Sequence, residues 1–208
     1  MRNRHSHRIP AIIGFALLAT ASWSVPSYAI PRAQFEELYE LQAAFHRLGT
    51  VHDPVNGDSA DVIDQRIRDM MAIWTSDGSI LLEVGGTRDG IYTGVGDPED
   101  ATSCPAPSAD PSNRGTLCTF FKYVSGSFQP ANKFVSLAPS YLTSFTVHGK
   151  NATIFFECHF FNVAIDPGTQ APLWTPAAHI TFDGTARRVK GRWLFSHGHG
   201  TVPAVPVP

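Results

Sequence analysis

The hydrophobic period of this 208-residue chain changes once, and that change sets the class of fold. Between residues 33 and 74, apolar residues recur at steps of three and four, which is the period of amphipathic helices. From residue 79 onwards several runs alternate between apolar and polar residues, which is the period of half-buried strands. Helices followed by strands predict an α+β fold, with N-terminal helices packed on one face of a curved, mostly antiparallel sheet.

Caps and turn residues set the boundaries of the predicted elements. The first helix is expected over residues 33–49 and ends at Gly49, and the second begins near Ser59. The Gly-, Pro- and Asp-rich section from residue 85 to 115 is predicted to be loop, and a short helix follows Thr116. Strands are expected at residues 79–84, 140–147, 153–164, 177–189 and 192–199.

Residues 1–29 have the pattern of a secretory signal peptide. Three arginines precede a short apolar run, and Ser27-Tyr28-Ala29, with a small residue at each end, predicts cleavage after Ala29. The apolar run is shorter than the roughly 20 residues of a comfortable membrane span, so an uncleaved anchor is only the alternative. We expect a secreted or periplasmic protein without membrane contact after cleavage, with one domain over 30–200 and a loose, Pro-rich tail over 201–208.

The charge balance disfavours nucleic acid as a partner. The chain has 16 basic and 18 acidic residues; without the three signal-peptide arginines it has 13 basic residues and a net charge of −5. Fourteen Phe residues predict an aromatic interior. No phosphate-binding Gly loop, serine-hydrolase elbow or His-Glu-x-x-His helix is present in the sequence, and we expect no cofactor.

The three cysteines have different expected roles. Cys104 and Cys118 bracket a polar loop, and an exported protein can form a disulfide between them. A bridge closing a loop of about 15 residues contributes about 3 kcal/mol in the chain-entropy model. Cys158 lies in the apolar run TIFFECHFF and is expected to be a small buried hydrophobe rather than a nucleophile.

Several stretches, in their order and spacing, resemble the SnoaL-like branch of the nuclear-transport-factor-2 (NTF2-like) superfamily. They are the helix FEELYELQAAF, the passage MAIWTSDGSILL, Tyr92-Thr93-Gly94, the hairpin SFTVHGKNATIFFECHFF and the closing FDGTARRVKGRWLFSHG. The resemblance covers most of residues 33–199 and implies a cone-shaped α+β barrel with an apolar pocket between the helices and the concave sheet. Relatives include ketosteroid isomerase, scytalone dehydratase, polyketide cyclases and many proteins without catalysis, so the fold alone does not assign a function.

Four histidines in predicted strands are the main candidates for chemistry. His197 and His199 are two residues apart, so they share a strand face, and simple alternation puts Phe195 on that face, toward the pocket. His179 starts the neighbouring strand, and His159 lies in the strand before it. Converging imidazoles can act as general acid and base or hold a divalent metal; polar residues at the rim of the sheet are the remaining interpretation.

We predict that His179 and His197 form an acid–base pair. Asp53, just beyond the first helix, is predicted to orient the substrate or serve as the base, because an apolar environment raises a carboxyl pKa; Asp53-Pro54 is also a common turn starter. No metal is assigned, with His197 and His199 the weaker possibility for one. His46 is expected at the boundary of the core.

Five residues are predicted to contact the substrate. Tyr92 and Tyr141 can donate phenolic hydrogen bonds to a carbonyl or enolate, or simply line the pocket. Trp74, His159 and Phe195 complete the predicted wall.

The strand around TIFFECHFF is apolar on both faces, and this predicts a second buried surface. One face covers the pocket, and a partner subunit's sheet is expected to bury the other, giving a homodimer. Glu157 in this strand needs a partner, which Arg187 or Arg188 is expected to supply.

Together these features predict an exported protein with an apolar pocket for a small hydrophobic molecule. The expected activity is cofactor-free acid–base chemistry: isomerisation, dehydration or cyclisation. The alternative is a non-catalytic binding or carrier protein with the same pocket, and an interaction module that uses the sheet face is third.

Overall fold

The computed structural model describes residues 31–47, 58–96, 104–127, 134–136 and 144–203. The elements within these ranges are α1 (Arg32–His46), α2 (Ala60–Met71), β1 (Trp74–Val84), β2 (Thr87–Thr93), α3 (Leu117–Ser127), β3 (Phe134–Ser136), β4 (Ser144–His148), β5 (Asn151–Ile165), β6 (Pro172–Val189) and β7 (Arg192–Val202). The predicted α+β class is confirmed, with helices first and most of the strands after them.

The seven strands form one mostly antiparallel sheet. Their order is β2-β1-β7-β6-β5-β3, and β4 pairs with another part of β5. The β1–β7 pair is parallel, and the other pairs are antiparallel. The ladder between β5 and β6 runs from Asn151 opposite Arg187 to Ile165 opposite Pro172, so these two strands form the spine of the sheet.

Helix α2 begins where the sequence predicts it, because its first turn is capped. The Ser59 hydroxyl accepts a hydrogen bond from the backbone N–H of Val62 at 3.4 Å, and Asp61 adds a favourable negative charge to the first turn. Just before the helix, Asp58 forms a buried ion pair with Arg66. These contacts hold the α2 N-terminus while its apolar face packs into the core.

The core lies between the helices and one face of the sheet, called here the inner face. Phe182 on β6 stacks on Phe156 of β5 at a ring distance of 4.6 Å. Gly184 and Gly198 face each other across β6 and β7, and a Cβ added at either would lie 2.6 Å from the Phe182 ring. The pair of glycines therefore makes the space that this ring occupies.

The strands differ from the predicted ones at several places: β6 begins at Pro172 rather than at residue 177, and the first hairpin differs most. β1 begins at Trp74 rather than at residue 79, and β2 lies inside the section predicted to be loop. The turn between β1 and β2 uses Gly85 and Gly86, both at positive φ, which is why a glycine-rich stretch forms a hairpin here.

Strand β7 also extends into the segment predicted to be a loose tail. Thr201 and Val202 pair with Glu83 and Val84 of β1, so the ladder continues beyond residue 200. The prolines that limit strand pairing begin only at Pro203.

The cysteines are arranged as the sequence predicts. Cys104 and Cys118 form a disulfide that ties the preceding loop to the start of α3. Cys158 is buried, and burial raises the pKa of its thiol to about 12, so it is not a nucleophile at neutral pH. Among the described residues, no helix is long and apolar enough to cross a membrane.

Candidate functional site

The inner face of α1 brings two polar side chains against the apolar side of the sheet. Gln42 and His46 are one helical turn apart and therefore point the same way, in line with the buried Leu38. Gln42 is only 2% exposed. Its Oε1 atom and the Nε2 atom of His46 are buried without a hydrogen-bond partner among the described residues. These two atoms form a polar position inside an otherwise apolar stripe.

Aromatic rings surround this polar position. The His46 ring lies edge-on to Phe156 at 5.0 Å. Phe45, next to it on α1, contacts the rings of Phe156, Phe182 and Phe195 at 5.4, 4.9 and 5.7 Å. The surroundings of His46 are thus aromatic faces and edges, which favour an apolar molecule.

Burial decides the charge of His46. Loss of hydration disfavours the imidazolium form and lowers the pKa of His46 from 6.5 to about 4. The ring is therefore neutral at physiological pH, with one nitrogen that donates a hydrogen bond and one that accepts. Together with the Gln42 amide, it can hold a hydroxyl, carbonyl or amide group of a bound molecule.

Three of the residues predicted to contact substrate lie in the same interior. Trp74 and Phe195 are buried and their rings are 5.1 Å apart, whereas the Trp74 indole nitrogen has no hydrogen-bond partner among the described residues. Tyr92 is fully buried against Phe120, at a ring distance of 5.1 Å, and burial raises the pKa of its phenol, with Arg114 partly opposing that rise. These rings belong to the core that the predicted pocket would share.

The outer face of the sheet carries the histidines that were expected inside. On β7 the buried positions are Trp193, Phe195, Gly198 and Gly200, so the alternation slips by one residue after Phe195. The slip is a β-bulge, because Thr185 pairs with His197 and the next residue of β6 pairs with Phe195. The expectation that His197 shares the face of Phe195 is therefore wrong.

On the outer face, His197 and His199 each have a partner on β1. His197 Nδ1 lies 2.8 Å from the hydroxyl oxygen of Ser79. His199 Nε2 lies 3.1 Å from a carboxylate oxygen of Glu83. Both histidines remain candidates for chemistry only at this surface.

His159 and His179 also lie on the outer face and are brought together. They are opposite each other in the β5–β6 ladder, and their rings stack at 4.7 Å. Glu157, two residues before His159, places a carboxylate oxygen 3.2 Å from His179 Nε2. The contact of Glu157 with a histidine, rather than with an arginine, is a finding that the sequence did not predict.

The arginines expected to pair with Glu157 are too far along the ladder. Arg187 is opposite Asn151, six residues from Glu157, which corresponds to about 20 Å of strand. Arg187 instead pairs with Asp77 at 2.5 Å. Arg188 pairs with Glu37 of α1 at 3.1 Å.

The structure does not bring His179 and His197 together. His197 is opposite Thr185, and His179 lies six residues earlier on β6, again about 20 Å of strand away. One small substrate cannot contact both imidazoles, and neither points into the interior. Asp53 and Tyr141 lie outside the described residues.

Gln42 is not among the residues predicted from the sequence, and His46 was expected only at the boundary of the core. The available signal was their spacing of four residues within the stripe of Leu38, Leu41 and Phe45, which marks a polar pair on a buried helix face.

No protein-family model and no curated protein matches the sequence. The structure is similar to a protein of unknown function with a cystatin-like fold from Nostoc punctiforme. The TM-score is 0.51 at 15% identity, and the match covers 83% of this chain and 93% of that one. It is also similar to an NTF2-like family protein from Streptomyces avermitilis, named as a candidate dehydratase. Here the TM-score is 0.50 at 11% identity, with 86% of this chain and 99% of that one covered. These likenesses concern the fold, and with the element order described above they establish that this chain has the NTF2-like fold.

Proposed function

We propose that this protein binds a small, largely apolar molecule with a hydrogen-bonding group, held between α1 and the inner face of the sheet. The observation that carries the proposal is a pair of buried atoms, Gln42 Oε1 and His46 Nε2, that have no hydrogen-bond partner within the described part of the chain. A polar atom buried without a hydrogen bond costs about 1–3 kcal/mol. A ligand that pairs with both atoms removes that cost, and the aromatic rings around His46 bury its apolar part.

The chemistry of the pair narrows the class of ligand. Gln42 Oε1 accepts hydrogen bonds, so the ligand supplies an O–H or N–H group there. His46 Nε2 accepts or donates according to its tautomer. An alcohol, phenol or amide on a hydrophobic skeleton satisfies both positions, whereas an anion finds no cationic partner in the Gln42–His46 pair.

Binding without catalysis is the version of the proposal that the geometry favours. General bases are most effective when their pKa is near the working pH, and the pKa of His46 is about 4. The predicted acid–base pair, His179 and His197, lies on the outer face. Acid–base chemistry such as isomerisation, dehydration or cyclisation is the second candidate, and His46 would then be the proton acceptor without a cofactor.

The experiment compares the protein with a Gln42→Leu/His46→Phe double variant. The two substitutions keep the side chains large and remove the hydrogen-bonding atoms, so the core stays filled. Small molecules are extracted from both proteins, purified from the native source, and identified by mass spectrometry. We expect a bound molecule in the unmodified protein and its loss in the variant.

A Gln65→Leu/His148→Phe double variant is the matched control, since both positions are exposed. It should retain the molecule. Equal amounts of ligand in both double variants, or none in the unmodified protein, would contradict the proposed function.

Export and self-association belong to the same proposal. The signal-peptide pattern and the Cys104–Cys118 disulfide support an exported protein, since structural disulfides persist in oxidising compartments. The half-buried Phe155 and Phe161 on the outer face of β5 support a homodimer through this surface. Sedimentation of the protein and of a Phe155→Ser variant tests the dimer: the variant should sediment as a monomer.

A further inference from the structure

The geometry points to a divalent transition-metal site formed by Glu157, His159 and His179 on the outer face of the sheet. This inference does not depend on the proposed interior ligand, because the outer face is separated from it by the thickness of the sheet.

The sheet register places the three ligands on one face. His159 and His179 are directly opposite each other, where side chains of an antiparallel pair approach most closely. Glu157 is two residues from His159 on the same strand and therefore on the same side. The intervening Cys158 points inward and is buried, so no thiolate contributes to the site.

The separations suit a single ion. One nitrogen of each histidine and one oxygen of Glu157 all lie within 4.8 Å of one another. Tetrahedral zinc has bonds of about 2.0–2.2 Å to nitrogen and oxygen, which places neighbouring ligand atoms about 3.3 Å apart. The Glu157–His179 contact, at 3.2 Å, already has that spacing.

The site is accessible in the single chain, and its three protein ligands leave one coordination position for water. The side chains of His179 and Glu157 are 26% and 17% exposed in the single chain, so an ion can reach them from solvent before the proposed homodimer covers this face. Nε2 of His179 makes no aligned hydrogen bond among the described residues. Two imidazoles and one carboxylate match the three-ligand set of zinc sites whose fourth position holds water. The same set also holds non-haem iron(II), and zinc, which has no redox chemistry, is the ion used to test the site.

The test is calorimetric titration of the untagged full chain with zinc chloride, beside His159→Gln, His179→Gln and Glu157→Gln variants. We expect one zinc ion per chain, and a loss of affinity of about tenfold or more in each variant, because even outer-shell substitutions at metal sites cost that much. A His148→Gln variant, which changes an exposed histidine at the end of β4, is the matched control and should bind as the unmodified protein does.

A second measurement locates the ion and does not depend on affinity. Crystals grown with zinc should give an anomalous-scattering peak between Glu157 and the two histidine rings. No bound zinc, or zinc bound with equal affinity by all three ligand variants, would overturn the assignment. Circular dichroism of each variant checks that the sheet is intact, so that unfolding is not mistaken for lost ligands.

Discussion

Protonation of His46 should destabilise the protein, and the size of the effect follows from burial. The pKa of His46 is about 4 in the folded protein and 6.5 in the unfolded chain, a difference of about 2.5. At 1.36 kcal/mol per pKa unit, protonating the ring costs the folded state about 3 kcal/mol relative to the unfolded one. Because the unfolded chain binds this proton more readily, the free energy of unfolding falls as the pH falls.

The pH range of this effect is set by the two pKa values of His46, in the folded protein and in the unfolded chain. Above pH 6.5 the ring is neutral in both states and the stability is fully present; it is lost progressively as the pH falls from 6.5 to about 4. Relative to neutral pH, the contribution of His46 should lower the free energy of unfolding by about 2 kcal/mol at pH 5 and by about 3 kcal/mol at pH 4.

The assay is urea unfolding at pH 7, 6, 5 and 4, with the protein compared with a His46→Gln variant. Carboxyl groups titrate in both proteins, so the difference between the two free energies of unfolding isolates His46. We expect this difference to change by about 3 kcal/mol in favour of the variant between pH 7 and pH 4. A His148→Gln variant, exposed and matched in chemistry, should show almost no such change. If the His46→Gln difference stays constant over this range, the ring is hydrated and the argument for the interior polar pair fails.

Two further predictions concern the packing of the core around Phe182 and the Cys104–Cys118 disulfide. Gly198→Ala should destabilise the protein by about 1–3 kcal/mol in urea unfolding, because its Cβ meets the Phe182 ring at 2.6 Å, whereas Gly200→Ala, whose Cβ lies 3.5 Å from its nearest neighbour, should be far milder. Equal losses of unfolding free energy in the two variants would show that the Phe182 ring moves aside without cost. Replacing Cys104 and Cys118 together by Ala should lower the free energy of unfolding by about 3 kcal/mol, and reductant should then leave the thermal midpoint of the variant unchanged. A midpoint equal to that of the unmodified protein would show that the loop needs no bridge.

Local sequence patterns predicted most elements because each pattern has a local physical cause. The helix α2 begins at a Ser cap and has a periodic apolar face, and both signals lie within a few residues of each other. The strand β2 was missed because it begins with polar residues and lies in a Gly-, Pro- and Asp-rich section of the chain. What makes it a strand is pairing with β1, from Val84 opposite Thr87 to Ser79 opposite Thr93.

The candidate site depends even more than the strands do on pairing between distant parts of the chain. A strand's alternation can be extrapolated only while its register is unbroken, and one bulge after Phe195 moves His197 and His199 to the outer face. The stacked pair of His159 and His179 depends on the β5–β6 register, which no spacing along the chain reveals.

The helix-then-strand order, the disulfide and the aromatic interior can be predicted from the amino-acid sequence, because they follow from hydrophobic period, cysteine positions and composition. Which polar groups face the interior depends on tertiary packing. Gln42 and His46 are there because α1 packs that face on the sheet, and the strand histidines are outside because cross-strand hydrogen bonding sets the register. Such contacts join residues far apart in the chain, so no local sequence pattern predicts them.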